Sequence, residues 1–176
     1  MKRIFFTFAI FAILPFAAFS QKGKNAIQVS GQAAIPTGEF SDVVKTGFGG
    51  AVKGMYGIGK SPQSLTVEAG YNRFGVKNVP SGASANYSAI PVYGGYRANL
   101  SGVIVESQAG VSFNRVAASG SGSSASANQT AFGWALSAGY QYKDIELSVR
   151  YQSSEGSEDT EPIRFVGIRL GYNFGL

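Results

Sequence analysis

The stretch Phe132-Gly-Trp-Ala-Leu-Ser-Ala-Gly-Tyr-Gln-Tyr142 alternates between apolar residues and small or polar ones. One face carries Phe132, Trp134, Leu136, Ala138, Tyr140 and Tyr142, and the other carries glycine, alanine, serine and glutamine. Successive side chains of a β-strand point to opposite faces, so this period of two predicts a strand with one apolar face. Segments 145–151 and 166–176 follow the same pattern.

The same alternation predicts eight strands, at about 26–35, 47–58, 63–75, 87–98, 102–115, 130–142, 145–152 and 163–175. The connections alternate in length. Residues 36–46, 76–86, 116–129 and 153–162 form long connections, and residues 59–62, 99–101 and 143–144 form short ones. Antiparallel strands with short turns at one end and long loops at the other predict an all-β, eight-stranded up-and-down transmembrane barrel.

The composition excludes several functional classes. Charged residues make up 14 % of the 176 residues, whereas soluble globular proteins average about 25 %, and the 24 glycines are about twice the average share of glycine. The chain has neither cysteine nor histidine, which excludes disulfides, Ser-His-Asp and Cys-His catalysis and histidine-bound metals. We therefore expect no enzyme, no metal and no cofactor. The 15 basic residues are scattered, which does not favour nucleic-acid binding.

The first 20 residues have the pattern of an export signal. Met1-Lys2-Arg3 is basic, residues 4–14 form an apolar run, and Ala18-Phe19-Ser20 offers small residues at a cleavage site. The apolar run is shorter than the ~20 residues that a membrane-spanning helix needs. We predict a signal peptide at 1–20, a barrel domain at 21–176 and localisation in the cell outer membrane.

Two features favour a membrane barrel over the alternative of a soluble, lipocalin-like binder with an apolar interior. The polar face of the strands is rich in small residues, which fit the narrow lumen of eight strands. The aromatic residues of the apolar face fall at strand ends with aliphatic residues between them, as in the two girdles of membrane barrels. The predicted interface aromatics are Phe48, Tyr56, Tyr71, Tyr96, Phe113, Phe132, Trp134, Tyr140, Tyr142, Tyr151, Tyr172 and Phe174.

A set of charged residues shares the parity of the polar face and is predicted to point into the lumen. The set is Lys53, Glu68, Arg97, Glu106, Glu146, Arg150 and Arg169. Buried charge is costly unless it is paired and hydrogen-bonded. We predict an ion-paired plug in which Lys53 and Arg169 are the principal bases and the glutamates at 68 and 106 are their partners. The alternative is a gate that makes the barrel a narrow pore for ions or small solutes.

Three features do not fit the regular pattern. Pro91 lies inside the fourth strand, where its missing N–H predicts a bulge or a strand that begins at the next residue. Phe74, Tyr87 and Phe165 fall off the simple register, near the loops where bulges are common. The segment 116–129 is rich in serine and alanine and is predicted to be a flexible loop.

Three stretches resemble the small bacterial outer-membrane β-barrels of the OmpA-like and OmpX-like type, which are similar to porin-family proteins. They are Ala34-Ile-Pro-Thr-Gly-Glu-Phe-Ser41, Ala89-Ile-Pro-Val-Tyr-Gly-Gly-Tyr-Arg97 and Gly167-Ile-Arg-Leu-Gly-Tyr-Asn-Phe174. The resemblance covers residues 26–176 and implies a structural or surface-interaction role. It also implies outer-membrane lipid and, during insertion, the barrel-assembly machinery as partners. We expect a monomer, and the ligand of the loops stays open.

Overall fold

The computed structural model describes residues 25–58, 62–80, 82–120, 123–156 and 161–176, and it shows one closed barrel. Its antiparallel strands are β1 (Ala26–Thr37), β2 (Gly47–Gly57), β3 (Gln63–Gly75), β4 (Ser84–Leu100), β5 (Val103–Gly120), β6 (Ser123–Tyr142), β7 (Ile145–Ser154) and β8 (Ile163–Gly175). Each strand pairs with its neighbours in chain order, and β8 pairs with β1. The predicted fold class is confirmed. The predicted signal peptide at 1–20 lies outside the described residues.

The two ends of the barrel differ in their connections. At one end, here called the turn end, β4 leads to β5 through Ser101 and Gly102, and β6 leads to β7 through two residues as well. Gly102 has φ +101°, and an added Cβ there would lie 2.8 Å from the ring of Tyr140, so the turn requires glycine. The opposite end, here called the loop end, carries the short helix α1 (Phe40–Val43) between β1 and β2.

No helix among the described residues is long and apolar enough to cross a membrane.

The wall of the barrel has its apolar side outward. In β7, Ile145 is 53 % exposed and Leu147 is 58 % exposed, whereas Glu146 and Arg150 on the alternate positions are almost fully buried. The burial patterns of β1, β3 and β8 alternate in the same way. A barrel dissolved in water has the reverse arrangement, because its outer face must be hydrated. This exterior therefore suits hydrocarbon, while the lumen holds the polar groups.

β5 and β6 extend beyond the rest of the barrel at the loop end. The predicted flexible loop at 116–129 is wrong, because Val116 pairs with Ala127 and Ser119 with Ser124 in the register of the barrel below. β4 joins this extension, since Ser84 pairs with Ser119. The hairpin is held by backbone pairing between strands of serine and alanine. Such strands have little hydrophobic alternation, so periodicity did not reveal them.

The predicted bulge at Pro91 is also wrong. β4 runs straight through Pro91, and its register with β5 is unbroken. The ladder between β3 and β4 stops after Ala69↔Val92 and resumes at Asn72↔Ala89 in the same register. The proline therefore interrupts the hydrogen bonds between β4 and β3 locally and does not shift the register of the two strands. Gly70 lies beside it, and an added Cβ there would lie 3.2 Å from the carbonyl oxygen of Gly50, 3.3 Å from Ala51 Cβ and 3.4 Å from Pro91 Cγ, so the position is crowded mainly from the side of β2.

Phe74, Tyr87 and Phe165 keep the regular register, contrary to the expected irregularity. They point inward at the loop end, where each is at most 5 % exposed. Phe40 of α1 packs on them, with ring centroids 5.2 Å from those of Phe74 and Tyr87. These four rings, with Ala34, Val44 and Ala89, form an apolar cluster that we call the loop-end cap. Its burial gives the first loop a fixed position across the mouth of the barrel.

Candidate functional site: a buried charge network in the lumen

The structure places all seven predicted lumen charges inside the barrel. They are Lys53 on β2, Glu68 on β3, Arg97 on β4, Glu106 on β5, Glu146 and Arg150 on β7, and Arg169 on β8. Each of these residues is at most 4 % exposed. Strand parity brings them there, because each occupies an inward position of its own strand and six strands contribute.

Glu68 is the acid with the most basic partners. Arg169 holds it with two hydrogen bonds, from Nη1 to Oε2 at 2.7 Å and from Nη2 to Oε1 at 3.1 Å. Lys53 Nζ lies 3.4 Å from Oε2, and Arg150 Nη2 lies 3.4 Å from Oε1. This two-point arginine contact is the geometry that a guanidinium and a carboxylate prefer. One carboxylate therefore stabilises three buried cations.

A second chain of ion pairs leads from mid-height toward the turn end. Lys53 donates to Glu106, and Arg97 Nη1 lies 3.5 Å from the same carboxylate. Arg97 also donates from Nη2 to Glu146 Oε2. Because Lys53 contacts Glu68 as well, both chains join into one network. The network contains four bases and three acids, so it carries one net positive charge.

Amide side chains, which were not among the predicted site residues, complete the network. Gln32 accepts from Arg169 Nε and Nη2, at 3.2 and 3.1 Å. Gln108 donates to Glu106 at 2.9 Å and accepts from Arg150 Nη1. Gln28 donates to Glu146 at 2.9 Å. These glutamines occupy inward positions of their strands, as the charged residues do. The alternation of the strands therefore predicts their direction, but a neutral side chain inside the barrel did not suggest a site residue.

Small residues on neighbouring strands give these long side chains their space. An added Cβ at Gly95 would lie 2.5 Å from Gln108 Cγ, and one at Gly171 would lie 2.9 Å from Gln28 Cδ. Gly133 faces Tyr93 in the same way, with Cζ at 2.9 Å. Arg150 in turn lies over the Tyr93 ring, 5.7 Å from its centroid. Large and small side chains thus interlock across the lumen, as in a packed core.

The chemistry of this arrangement is that of a polar core. Most of its charged atoms lie within ion-pair or hydrogen-bond distance of a protein partner, and the loop-end cap lies on the loop-end side of the network. The described residues contain no cluster of three or more acidic side chains that could hold a metal ion. The geometry is that of a buried, ion-paired group to which six strands contribute charged side chains.

The polar lumen, the apolar exterior and the closed meander agree with a sequence comparison. A family model described as the outer membrane protein beta-barrel domain matches residues 6–174. The chain belongs to this family. Its location is therefore the outer membrane. Among curated proteins, sequence comparison finds no significant match.

Solved structures of other outer-membrane barrels have the same fold. The attachment invasion locus protein Ail of Yersinia pestis is 14 % identical, with a TM-score of 0.63 over 88 % of this chain and 100 % of that one. Neisserial surface protein A is 18 % identical, with a TM-score of 0.60 over 89 % and 100 %. The N-terminal barrel of Pseudomonas aeruginosa OprF is 14 % identical, with a TM-score of 0.61 over 87 % and 100 %. At these identities the likeness shows the fold alone.

The outer wall of this outer-membrane barrel carries the predicted interface aromatics. All twelve occupy outward positions, and ten of them are more than 40 % exposed. The other two, Trp134 and Tyr151, are half-buried because they pack on each other, with ring centroids 5.5 Å apart. One group lies toward the loop end: Phe48, Tyr71, Phe113, Phe132, Trp134 and Tyr151. The other lies toward the turn end: Tyr56, Tyr96, Tyr140, Tyr142, Tyr172 and Phe174. Aliphatic residues such as Val67 and Leu147 separate the two groups.

Proposed function

We propose that this protein is a non-enzymatic, non-conducting outer-membrane barrel with a structural and surface-interaction role. The observation that carries the proposal is the ion-pair network across the lumen, anchored on six strands. Passage of an ion or solute would require several of these pairs to separate together. Each separation would leave a charge unpaired away from water, which is strongly unfavourable. The loop-end cap adds an apolar barrier above the network.

In this proposal the two aromatic groups lie at the two membrane interfaces, where rings with an apolar body and a polar edge are favoured. The turn end faces the periplasm and the loop end faces the exterior. A closed barrel leaves no unpaired strand edge within the bilayer, so one copy is sufficient. Outer-membrane lipid then contacts the wall, and β8, with Phe174 near its end, is the segment that the barrel-assembly machinery handles.

A specific observation supports the surface-interaction part of the proposal. β7 pairs with β6 only from Gly133 onward, and the backbone N–H of Glu155 donates to the Phe132 carbonyl at 2.8 Å. The preceding part of β6, from residue 123 to Ala131, therefore has a strand on one side alone among the described residues. This edge carries no charged residue and no proline. Those are the devices that usually block an exposed edge. Such an edge can accept an extended segment of another protein by backbone hydrogen bonding.

Single-channel recording tests the closed lumen. The chain from residue 21 onward, refolded in detergent and added to a planar bilayer, should give no discrete current steps. Folding is verified beforehand by the shift in gel mobility between heated and unheated samples. Discrete steps that change in Lys53→Ala or Arg169→Ala, and do not change in the exposed-site control Lys143→Ala, would contradict the proposal and make the barrel a gated pore.

A further inference from the structure

A groove of about 600 Å³ lies on the outer surface of the wall near the loop end, and residues of β3, β4, β5 and β6 line it. Its loop-end part contains two exposed arginines, Arg73 on β3 and Arg115 on β5. They occupy one row across the sheet, because Arg73 pairs with Ser88 and Ser88 pairs with Arg115. Strands lie about 4.8 Å apart, so about 10 Å of sheet separates the two backbones. Long guanidinium side chains can converge over that distance.

The two arginines have few partners in the part of the chain that the structure describes. Among the described residues, no carboxylate makes an ion pair with either guanidinium. Within the described ranges, the one hydrogen bond that the Arg115 side chain donates goes to the hydroxyl of Ser126, at 3.3 Å. This contrasts with the four lumen cations, all of which have acidic partners. Two guanidiniums that have no acidic partner in the described part of the chain lie beside neutral hydrogen-bonding residues such as Ser88 and Asn128. This setting favours an anion, and their planar donors match the oxygens of a phosphate.

The other part of the same groove is apolar. Tyr71, Ile90 and Phe113 line it, and all three are between 46 % and 49 % exposed on the outer wall. Tyr71 and Phe113 each precede their arginine by two residues, which places the charged row about 7 Å nearer the loop end than the aromatic row. A free phosphate ion has no apolar surface that could contact these three side chains. The combination of a cationic end and an apolar end, on a wall that faces lipid, fits an amphiphile.

We propose that this groove binds the phosphate headgroup of a membrane lipid in the leaflet at the loop end. Arg73 and Arg115 bind the phosphate oxygens, and the adjoining Ile90 and Phe113 contact the first part of the acyl chain. The groove volume lies within the range of ordinary ligand pockets, about 300 to 1,000 Å³. The inference is independent of whether the lumen conducts, because the groove lies on the opposite side of the wall.

Quenching of Trp134, the single tryptophan, tests the site. The protein is reconstituted in phosphatidylcholine vesicles that contain increasing fractions of brominated phosphatidic acid. Brominated phosphatidylcholine with the same chains gives the reference curve. We expect phosphatidic acid to bind the wall roughly tenfold more strongly than phosphatidylcholine, as two arginines near a membrane surface allow. The preference should fall to near onefold in Arg73→Gln/Arg115→Gln.

A matched variant separates a specific site from general surface charge. Lys45→Gln/Arg164→Gln also removes two exposed positive charges at the loop end, outside the groove, and should keep the full preference. Equal loss in both double variants, or no loss in Arg73→Gln/Arg115→Gln, would overturn the proposal. Inorganic phosphate is added in a final arm, against sodium chloride of equal ionic strength. If inorganic phosphate removes the whole preference for phosphatidic acid and sodium chloride of equal ionic strength does not, the apolar part of the groove adds no affinity. The site would then belong to free phosphate, and this result would also overturn the proposal.

Discussion

Glu68→Gln should lower the free energy of unfolding by about 3 kcal/mol or more, the range for breaking a buried ion pair by removing one partner. The substitution keeps the size of the side chain and removes only its charge. Arg169, Arg150 and Lys53 would then lose an acidic partner together, since all three contact this carboxylate. The lumen would hold four bases against two acids. Glu68 is 1 % exposed, so the three cations would lose their acidic partner in a site that is almost closed to solvent.

The measurement is the temperature at which the folded band disappears in a heat-modifiable gel, together with urea unfolding from lipid vesicles followed by Trp134 fluorescence. Glu39→Gln is the control, because Glu39 is an exposed acid at the loop end outside the network. Glu68→Gln/Arg169→Gln should recover part of the loss, since the second change removes one of the unpaired cations. A Glu68→Gln barrel as stable as the control would show that the network does not stabilise the fold.

Gly110→Val should destabilise the barrel by about 3 kcal/mol, at the upper end of the usual cost of overpacking. Gly110 faces the lumen on β5, directly opposite Tyr93 on β4. An added Cβ would press against the carbonyl oxygen of Val92, and it would lie 3.0 Å from Tyr93 Cα. Both atoms belong to the backbone, so no change of rotamer relieves the contact. The two strands must separate, which weakens their ladder.

The neighbouring glycine provides a matched control. Gly94 pairs with Ala109 in the same two strands but points outward, and an added Cβ there would meet nothing within 4 Å. Gly94→Val should therefore unfold at nearly the same urea concentration as the unaltered protein. If both valine variants unfold at the same urea concentration, the change in stability comes from the strand propensity of valine. The close approach of β4 and β5 at Gly110 would then not be its cause.

The period of two predicted most of the fold and the content of the lumen. Once Leu147 and Val149 are assigned to the lipid face, Glu146 and Arg150 must point inward, since alternate side chains of a strand cannot share a face. The same rule places Lys53, Glu68 and Arg169 inside. A narrow barrel brings inward charges within reach of one another, so pairing between bases and acids is expected from parity and size together.

Parity also holds for the three aromatic residues that were expected to be irregular. Phe74, Tyr87 and Phe165 were assigned to irregular strand ends because they are apolar on a polar face. In the structure they are regular, and they pack on Phe40. Their partner is in a loop, so no strand pattern could have indicated the cluster. An apolar group on the inner face is stable here because the first loop folds over it and excludes water.

The sequence by itself determined the number and order of the strands, the face of most side chains and the membrane setting, because all three depend on local alternation and on composition. The tertiary structure alone decided which charges meet, as with the two-point contact between Arg169 and Glu68, which are 101 residues apart. It also decided the protruding β5–β6 hairpin and the groove beneath Arg73 and Arg115. These features depend on register between strands and on barrel closure, and alternation within a strand carries no information about which residue of its neighbour it will face.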